Sequence, residues 1–203
     1  AKRTHQLRVF DADTGAVLRT IGTRGTLPGM FDRPNGIAVH GDLMFVAERD
    51  NHRVQVFSLP DFAPLAMFGA DELRSPYGLW IHETAPDTIE IYVTDSFMDG
   101  ANYDQVPDFA SLDRRVRRYR FESHDGASPA ITSLGSFGAT DPQNELRIVE
   151  SISGDAAHDP LLIADEDMRH RATVHVYTLD GDDTGRVLPA GTFKAEPEGI
   201  ALW

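Results

Sequence analysis

One motif series recurs along this chain and fixes most of what it can fold into. Three segments open alike: Pro34-Asn35-Gly36-Ile37-Ala38-Val39, Pro76-Tyr77-Gly78-Leu79-Trp80-Ile81 and Pro197-Glu198-Gly199-Ile200-Ala201-Leu202. Val149-Glu150-Ser151-Ile152-Ser153 is a weaker copy. After an opening comes an apolar run that ends in acid: Met44 to Glu48, Ile91 to Asp95, and Leu162 to Asp165-Glu166-Asp167. An alternating segment follows, Val54-Gln55-Val56-Phe57, Val116 to Phe121, or Val174-His175-Val176-Tyr177. Each series closes on a segment leading into Phe68-Gly69, Phe137-Gly138 or Phe193-Lys194.

Alternation of period two, bounded by Gly, Pro, Asp and Asn, is a strand signature. Four such strands recurring at about 40 to 50 residues make one blade of a β-propeller. No segment sustains the 3.6-residue apolar stripe of a helix, and an irregular β-sandwich is the remaining all-β alternative. The expected fold class is therefore all-β, a propeller of four-stranded blades and a fragment of a larger ring. In this division residues 1–33 end one blade, 34–75 form a blade, 76–146 form a second with an insert at 97–113, 147–196 form a third, and 197–203 begin the next. A competing closure has the last strand complete the N-terminal half-blade as a four-bladed ring. The chain begins Ala-Lys-Arg without a recognisable signal peptide, which reads either as removal of a leader or as a piece of something longer.

Composition narrows the partners. The 19 Lys and Arg stand against 32 Asp and Glu, a formal charge of −13. Such a balance speaks against a nucleic-acid backbone, which needs a basic face, and against an anionic membrane. The chain has no cysteine, so disulfides, thiolate metal sites and cysteine nucleophiles are excluded. No apolar run approaches a membrane span. Arg114, Arg115, Arg117, Arg118 and Arg120 suggest an anion site, or, more in keeping with a strand, a solvated face whose charges pair with nearby acids.

Two family resemblances rest on these motifs. Asn35 to Val39 with Val46-Ala47-Glu48-Arg49-Asp50-Asn51-His52-Arg53-Val54-Gln55-Val56-Phe57 resembles the NHL repeat, whose propellers act mostly as binding platforms. A second resemblance, to the β-propeller phytases, runs along nearly the whole chain. It rests on Lys2-Arg3 before Leu7-Arg8-Val9-Phe10 and Asp13-Thr14-Gly15, on Tyr77-Gly78-Leu79-Trp80-Ile81-His82, on Glu150 followed by Ile163-Ala164-Asp165-Glu166-Asp167, and on Glu196-Pro197-Glu198-Gly199-Ile200. That family consists of six-bladed, calcium-dependent phosphatases of inositol hexakisphosphate. The resemblance implies calcium ligands at Glu150, Glu196 and Glu198, with Asp165, Glu166 and Asp167 supporting the metal. It implies Glu150 and Glu198 as catalytic carboxylates, and Lys2, Arg3, Tyr77 and either Arg49 or Arg53 as phosphate contacts. Asp95-Ser96 stands where the family places a phosphate-binding Lys. Secretion to the periplasm or medium is also implied.

The chemistry is coherent without the family. Calcium takes six to eight oxygen ligands, and acids on successive inner strands converge on a propeller's channel. Like charges there raise one another's pKa, and a cation relieves the cost. A chain this acidic repels a polyphosphate at long range, so phosphate binding needs bridging cations or a local basic patch. The acids can equally end strands or cap turns at a wet rim. The acidic run lacks the spaced pattern of an EF-hand, and the eight His show no HExxH spacing. No Gly-x-Ser-x-Gly elbow occurs. The expectation is a calcium-dependent phosphomonoester hydrolase, phytase-like, with an inositol phosphate as substrate and the missing blades of the propeller as structural partner. The alternatives are a non-catalytic NHL-like interaction platform and a calcium-dependent, lactonase-like propeller.

Overall fold

A computed structural model describes residues 2–97, 115–123, 128–140, 145–167, 172–188 and 191–201. Fourteen strands and one short 3-10 turn, Lys2–Thr4, make up the regular structure among them. β1 (Leu7–Phe10) and β2 (Val17–Ile21) form a two-stranded sheet. The other three sheets have four strands each, in sequential antiparallel order. Blade 1 is β3 (Pro34–His40), β4 (Leu43–Glu48), β5 (Arg53–Ser58) and β6 (Ala63–Phe68). Blade 2 is β7 (Pro76–Ala85), β8 (Thr88–Asp95), β9 (Val116–Glu122) and β10 (Ala130–Phe137). Blade 3 is β11 (Val149–Gly154), β12 (Pro160–Asp165), β13 (Thr173–Thr178) and β14 (Asp183–Leu188). The sheets are blade-like and do not close into a ring among the described residues. The 97–113 insert lies, beyond Phe97, outside the described residues, as do Arg114, Leu202 and Trp203.

The blades hold together because their middle strands are apolar on both faces. Along β8, Ile89, Ile91 and Val93 meet Phe45, Ala47, Val54 and Val56 of blade 1. The intervening Tyr92 packs the other way, with Leu161, Ile163 and Tyr177 of blade 3. Alternation thus serves two cores at once, because successive side chains point to opposite faces. Phe45 and Phe121 cross edge-on at 5.5 Å between ring centres, a favoured aromatic geometry. The half-blade packs through Leu7 onto Phe31, Met44, Val46 and Phe57.

Each full blade begins with a register break. Pairing jumps between Pro34 and Ile37, between Pro76 and Leu79, and between Val149 and Ile152. Bulges of this kind bend a strand and re-aim its side chains. The recurring Pro-x-Gly opening is therefore a bulge, and the residues inside it (Asn35-Gly36, Tyr77-Gly78, Glu150-Ser151) are those turned toward the channel. Glycine is required there by contact. A Cβ on Gly36 would lie 2.3 Å from the Tyr77 carbonyl oxygen, and one on Gly78 would lie 2.2 Å from that of Glu150.

Candidate functional site

The acids at the ends of the second strands are structural. In blade 2 Asp95 is fully buried. Its Oδ2 accepts the Arg74 N–H at 2.7 Å, and its Oδ1 accepts the N–H groups of Ser75 at 2.7 Å and Phe97 at 3.3 Å. In blade 3 Asp165 repeats the arrangement, accepting from the N–H groups of Arg147 at 2.7 Å, Ile148 at 3.1 Å and Asp167 at 3.1 Å. In blade 1 Glu48 accepts the Asp32 N–H at 2.9 Å and bonds Asn51, Arg53 and Gln55, each at 2.7 Å. Each carboxylate ties the loop entering its blade to the end of the second strand. Burial pushes the Asp95 carboxyl up, against its backbone hydrogen bonds.

The channel mouth is built by the inner-strand bulges. Asn35, Tyr77, Glu150, Ser151 and Gly199 line an open cavity of about 210 Å³, with Ile37, Leu79, Ile152 and Ile200 as its apolar walls. Thr94 fixes the strands beside it: its Oγ1 accepts the Gly78 N–H at 2.8 Å and donates to the Glu150 carbonyl at 2.6 Å. The Gly199 N–H donates to Ser151 Oγ at 2.8 Å, which seats the C-terminal segment beside β11. Glu150, Glu166 and Glu198 meet here, one carboxylate oxygen of each lying within 4.8 Å of the others. Glu150 and Glu166 are buried and Glu198 is exposed. Glu166 Oε1 has no hydrogen-bond partner. Its carboxyl is pushed up to about 9, by burial first and then by the Glu150 and Glu198 carboxylates. Among the described residues this trio is the group able to hold a cation jointly.

Other residues named from sequence go elsewhere. Asp165 is spent on backbone N–H groups, and Asp167 Oδ2 pairs with Arg147 Nε at 2.9 Å, so neither joins the trio. Glu196 is exposed on the C-terminal segment. Arg53 is buried, with Nε 2.7 Å from Glu48 and its terminal nitrogens on the carbonyls of Thr26 and Met30. Arg49 is buried against Asp50 at 2.5 Å. Arg3 is exposed in the N-terminal turn, which also contains Lys2. Tyr77 lines the cavity.

The arginine run divides: Arg115 is internal, whereas Arg117, Arg118 and Arg120 are half-buried, Arg118 and Arg120 pairing with nearby acids as the alternative to an anion site expects. Arg115 is 1% exposed, donates to the carbonyls of Asp95, Ser96 and Arg147, and lies 4.5 Å over the Phe97 ring. Burial lowers its pKa to about 10. Arg118 and Arg120 clasp Glu90 at 3.1 and 3.3 Å. The channel residue not singled out from sequence is Asn35. Its alignment with Tyr77, Glu150 and Glu198 in the opening motif was the available signal.

Comparison with known proteins agrees with this geometry. The NHL repeat family matches residues 31–57. No curated protein sequence matches the chain. Among solved structures, a chain of a nidogen/laminin complex superposes with a TM-score of 0.58 at 16% identity, over 94% of this chain and 60% of that one. At that identity the likeness shows the fold, a propeller-like arrangement of blades. This chain spans 60% of its length.

The expectation of a calcium-dependent, phytase-like phosphomonoester hydrolase is corrected here, and with it the hydrolase, phosphatase and secreted-enzyme reading. The family match is to NHL and not to a phosphatase, and the matching solved propeller is described as a nidogen/laminin complex. The physical reason lies in the cations. Arg53 is consumed by Glu48 and backbone carbonyls, and Arg49 by Asp50. The residues that gather at the channel are carboxylates. An inositol phosphate would meet negative charge where it needs positive.

Proposed function

We propose that this chain is part of a non-catalytic, NHL-like propeller that serves as an interaction platform, meeting a partner on the face that holds the channel mouth. The observation that supports it is the division of charge. Arg53, Arg115, Arg118 and Arg147 are bound within and between the blades, whereas Glu150 lines the open cavity and gathers Glu166 and Glu198 beside it. A chain of similar shape belongs to a nidogen/laminin complex, which supports a protein as the partner class. A full ring of six blades fits the proportions. Fourteen strands are a little under three fifths of the twenty-four that six such blades need, and the chain covers 60% of the similar propeller. A secreted or periplasmic setting belongs to the same proposal.

The test is phosphate release from inositol hexakisphosphate, with calcium and with chelator. No release in either condition is the expected outcome. Release that calcium raises and chelation abolishes would overturn the platform reading.

A further inference from the structure

Two histidines stand on one seam of the fold. His82 on β7 and His175 on β13 both face the packing between blades 2 and 3. The His82 ring stacks on the Trp80 ring at 4.9 Å and lies 5.9 Å from the Tyr92 ring. Tyr92 belongs to the core shared with blade 3, and Trp80 packs against it. His175 pairs opposite Ile163 of that same core, and residues directly opposite on neighbouring strands share a face. On the other side of blade 2, the buried core shared with blade 1 holds no histidine among the described residues.

Neither ring is placed to take a second proton. An imidazolium carries an N–H on both nitrogens, and His82 Nε2 is closed off from solvent with no hydrogen-bond partner. Glu90, which pairs opposite His82, is taken up by Arg118 and Arg120 at 3.1 and 3.3 Å and by the Tyr92 hydroxyl at 3.2 Å. Arg118 lies 3.8 Å from Asp180 of blade 3. Glu83, next along β7, faces His40 of blade 1 instead. Burial holds His82 below the usual histidine value, with Glu90 opposing and Arg118 adding to the effect. His175 is 8% exposed, its Nε2 2.9 Å from Thr173 Oγ1. Burial lowers it too, against the pull of Asp165 on β12 and Asp183 on β14.

We infer that acid parts blade 3 from blade 2: proton uptake by His82 and His175 loosens their seam while the seam between blades 1 and 2 stays closed. The fold holds both rings neutral. Their contribution is whole above about pH 6.5, the ordinary histidine value, and is lost as pH falls from there toward the lowered value of each ring.

The channel mouth spans this seam. Tyr77 and Gly78 of β7 stand on one side of it, Glu150 and Ser151 of β11 on the other, joined where Thr94 Oγ1 donates to the Glu150 carbonyl at 2.6 Å. A partner gripped at the mouth is released in acid. That consequence rests on the platform reading, whereas the seam itself does not.

The test is amide hydrogen exchange by NMR at about pH 7.5 and about pH 5.5, either side of the histidine value, with rates corrected for the intrinsic pH dependence. Protection in β12 and β13 is expected to fall at the lower pH, by about tenfold per pH unit for each ring across its window. Protection in β4 and β5 is expected to hold. His82→Phe keeps a ring in the stack and cannot titrate, and His175→Gln keeps a hydrogen-bonding group toward Thr173. The double variant should show the same β12 and β13 protection at both pH values. Its melting temperature at the higher pH establishes that it is folded, and His82→Gln stands in if the phenyl ring crowds the seam.

Unchanged protection in the parent overturns the inference. Loss of protection in blades 1 and 3 together also overturns it, as does a folded double variant that responds to acid as the parent does. A seam without acid response leaves the platform standing, and phosphate release removes the platform while leaving the seam.

Discussion

Asp95 offers the sharpest test of how the blades are fastened. Its carboxylate accepts three backbone N–H groups, from Arg74, Ser75 and Phe97, and is fully buried. Asp95→Ala removes both acceptor oxygens and leaves the three donors facing a void. An unsatisfied buried donor costs about 1–3 kcal/mol, and water entering the vacated space recovers part of that. Breaking a buried charged arrangement of this kind typically costs about 3–5 kcal/mol, so about 4 kcal/mol is expected. For a chain of this size each kcal/mol moves the melting point by roughly 2–4 °C, giving a drop of roughly 8–16 °C. Asp95→Asn keeps one oxygen acceptor and should fall about midway. Asp11 is the control. It accepts from the N–H and Oγ1 of Thr14 in an exposed turn, and Asp11→Ala should leave the unfolding midpoint close to that of the parent chain. Urea unfolding of the four proteins, with slopes compared to confirm similar unfolded states, is the assay. If Asp95→Ala costs no more than Asp11→Ala, the account of these acids as loop fasteners is wrong.

Two further outcomes follow from the blade contacts. Gly78→Ala sets a Cβ 2.2 Å from the Glu150 carbonyl oxygen and 2.9 Å from Thr94 Oγ1, so the inner strands of blades 2 and 3 must part; a loss of about 2–3 kcal/mol is expected by urea unfolding, with amide shifts at Glu150 and Ser151. Tyr92→Phe deletes a hydroxyl that donates to the Leu179 carbonyl at 2.9 Å and lies 3.2 Å from Glu90 Oε2; about 1 kcal/mol should be lost in the same assay, and an unchanged midpoint would show that this bond does not couple the blades.

The blades were legible because their signal is repeated. The opening motif, the acid-ended run and the alternating strand recur with similar spacing, and in blades 1 to 3 each corresponds to a strand of a four-stranded sheet, whereas the copy opening at Pro197 forms no strand among its described residues. The roles of the acids were not legible, because adjacent carboxylates diverge in space. Asp165, Glu166 and Asp167 are neighbours in sequence, yet one holds backbone, one gathers with Glu150 and Glu198 and one pairs with Arg147. Strand termination at Asp165 turns the chain, and no residue count shows which way each side chain then points. Arg49 and Arg53 misled for a similar reason. A basic residue beside a turn reads as available for phosphate, whereas Glu48, placed by the pairing of β4 with β5 opposite Arg53, had already claimed the guanidinium. The one arginine of the run that is fully internal, Arg115, precedes β9, and nothing in its sequence context separates it from the half-buried Arg117, Arg118 and Arg120.

The unequal sheets bear on how the molecule opens. Blade 2 is covered on both faces, by blade 1 and by blade 3, whereas the two-stranded β1–β2 sheet leaves Phe10, Val17 and Leu18 more than half exposed, and every residue of β14 is exposed. Opening free energy tracks buried contact density, so amide hydrogens of β8 should exchange last, on the scale of global unfolding. Those of β1, β2 and β14 should exchange first, through fraying that leaves the middle blade intact.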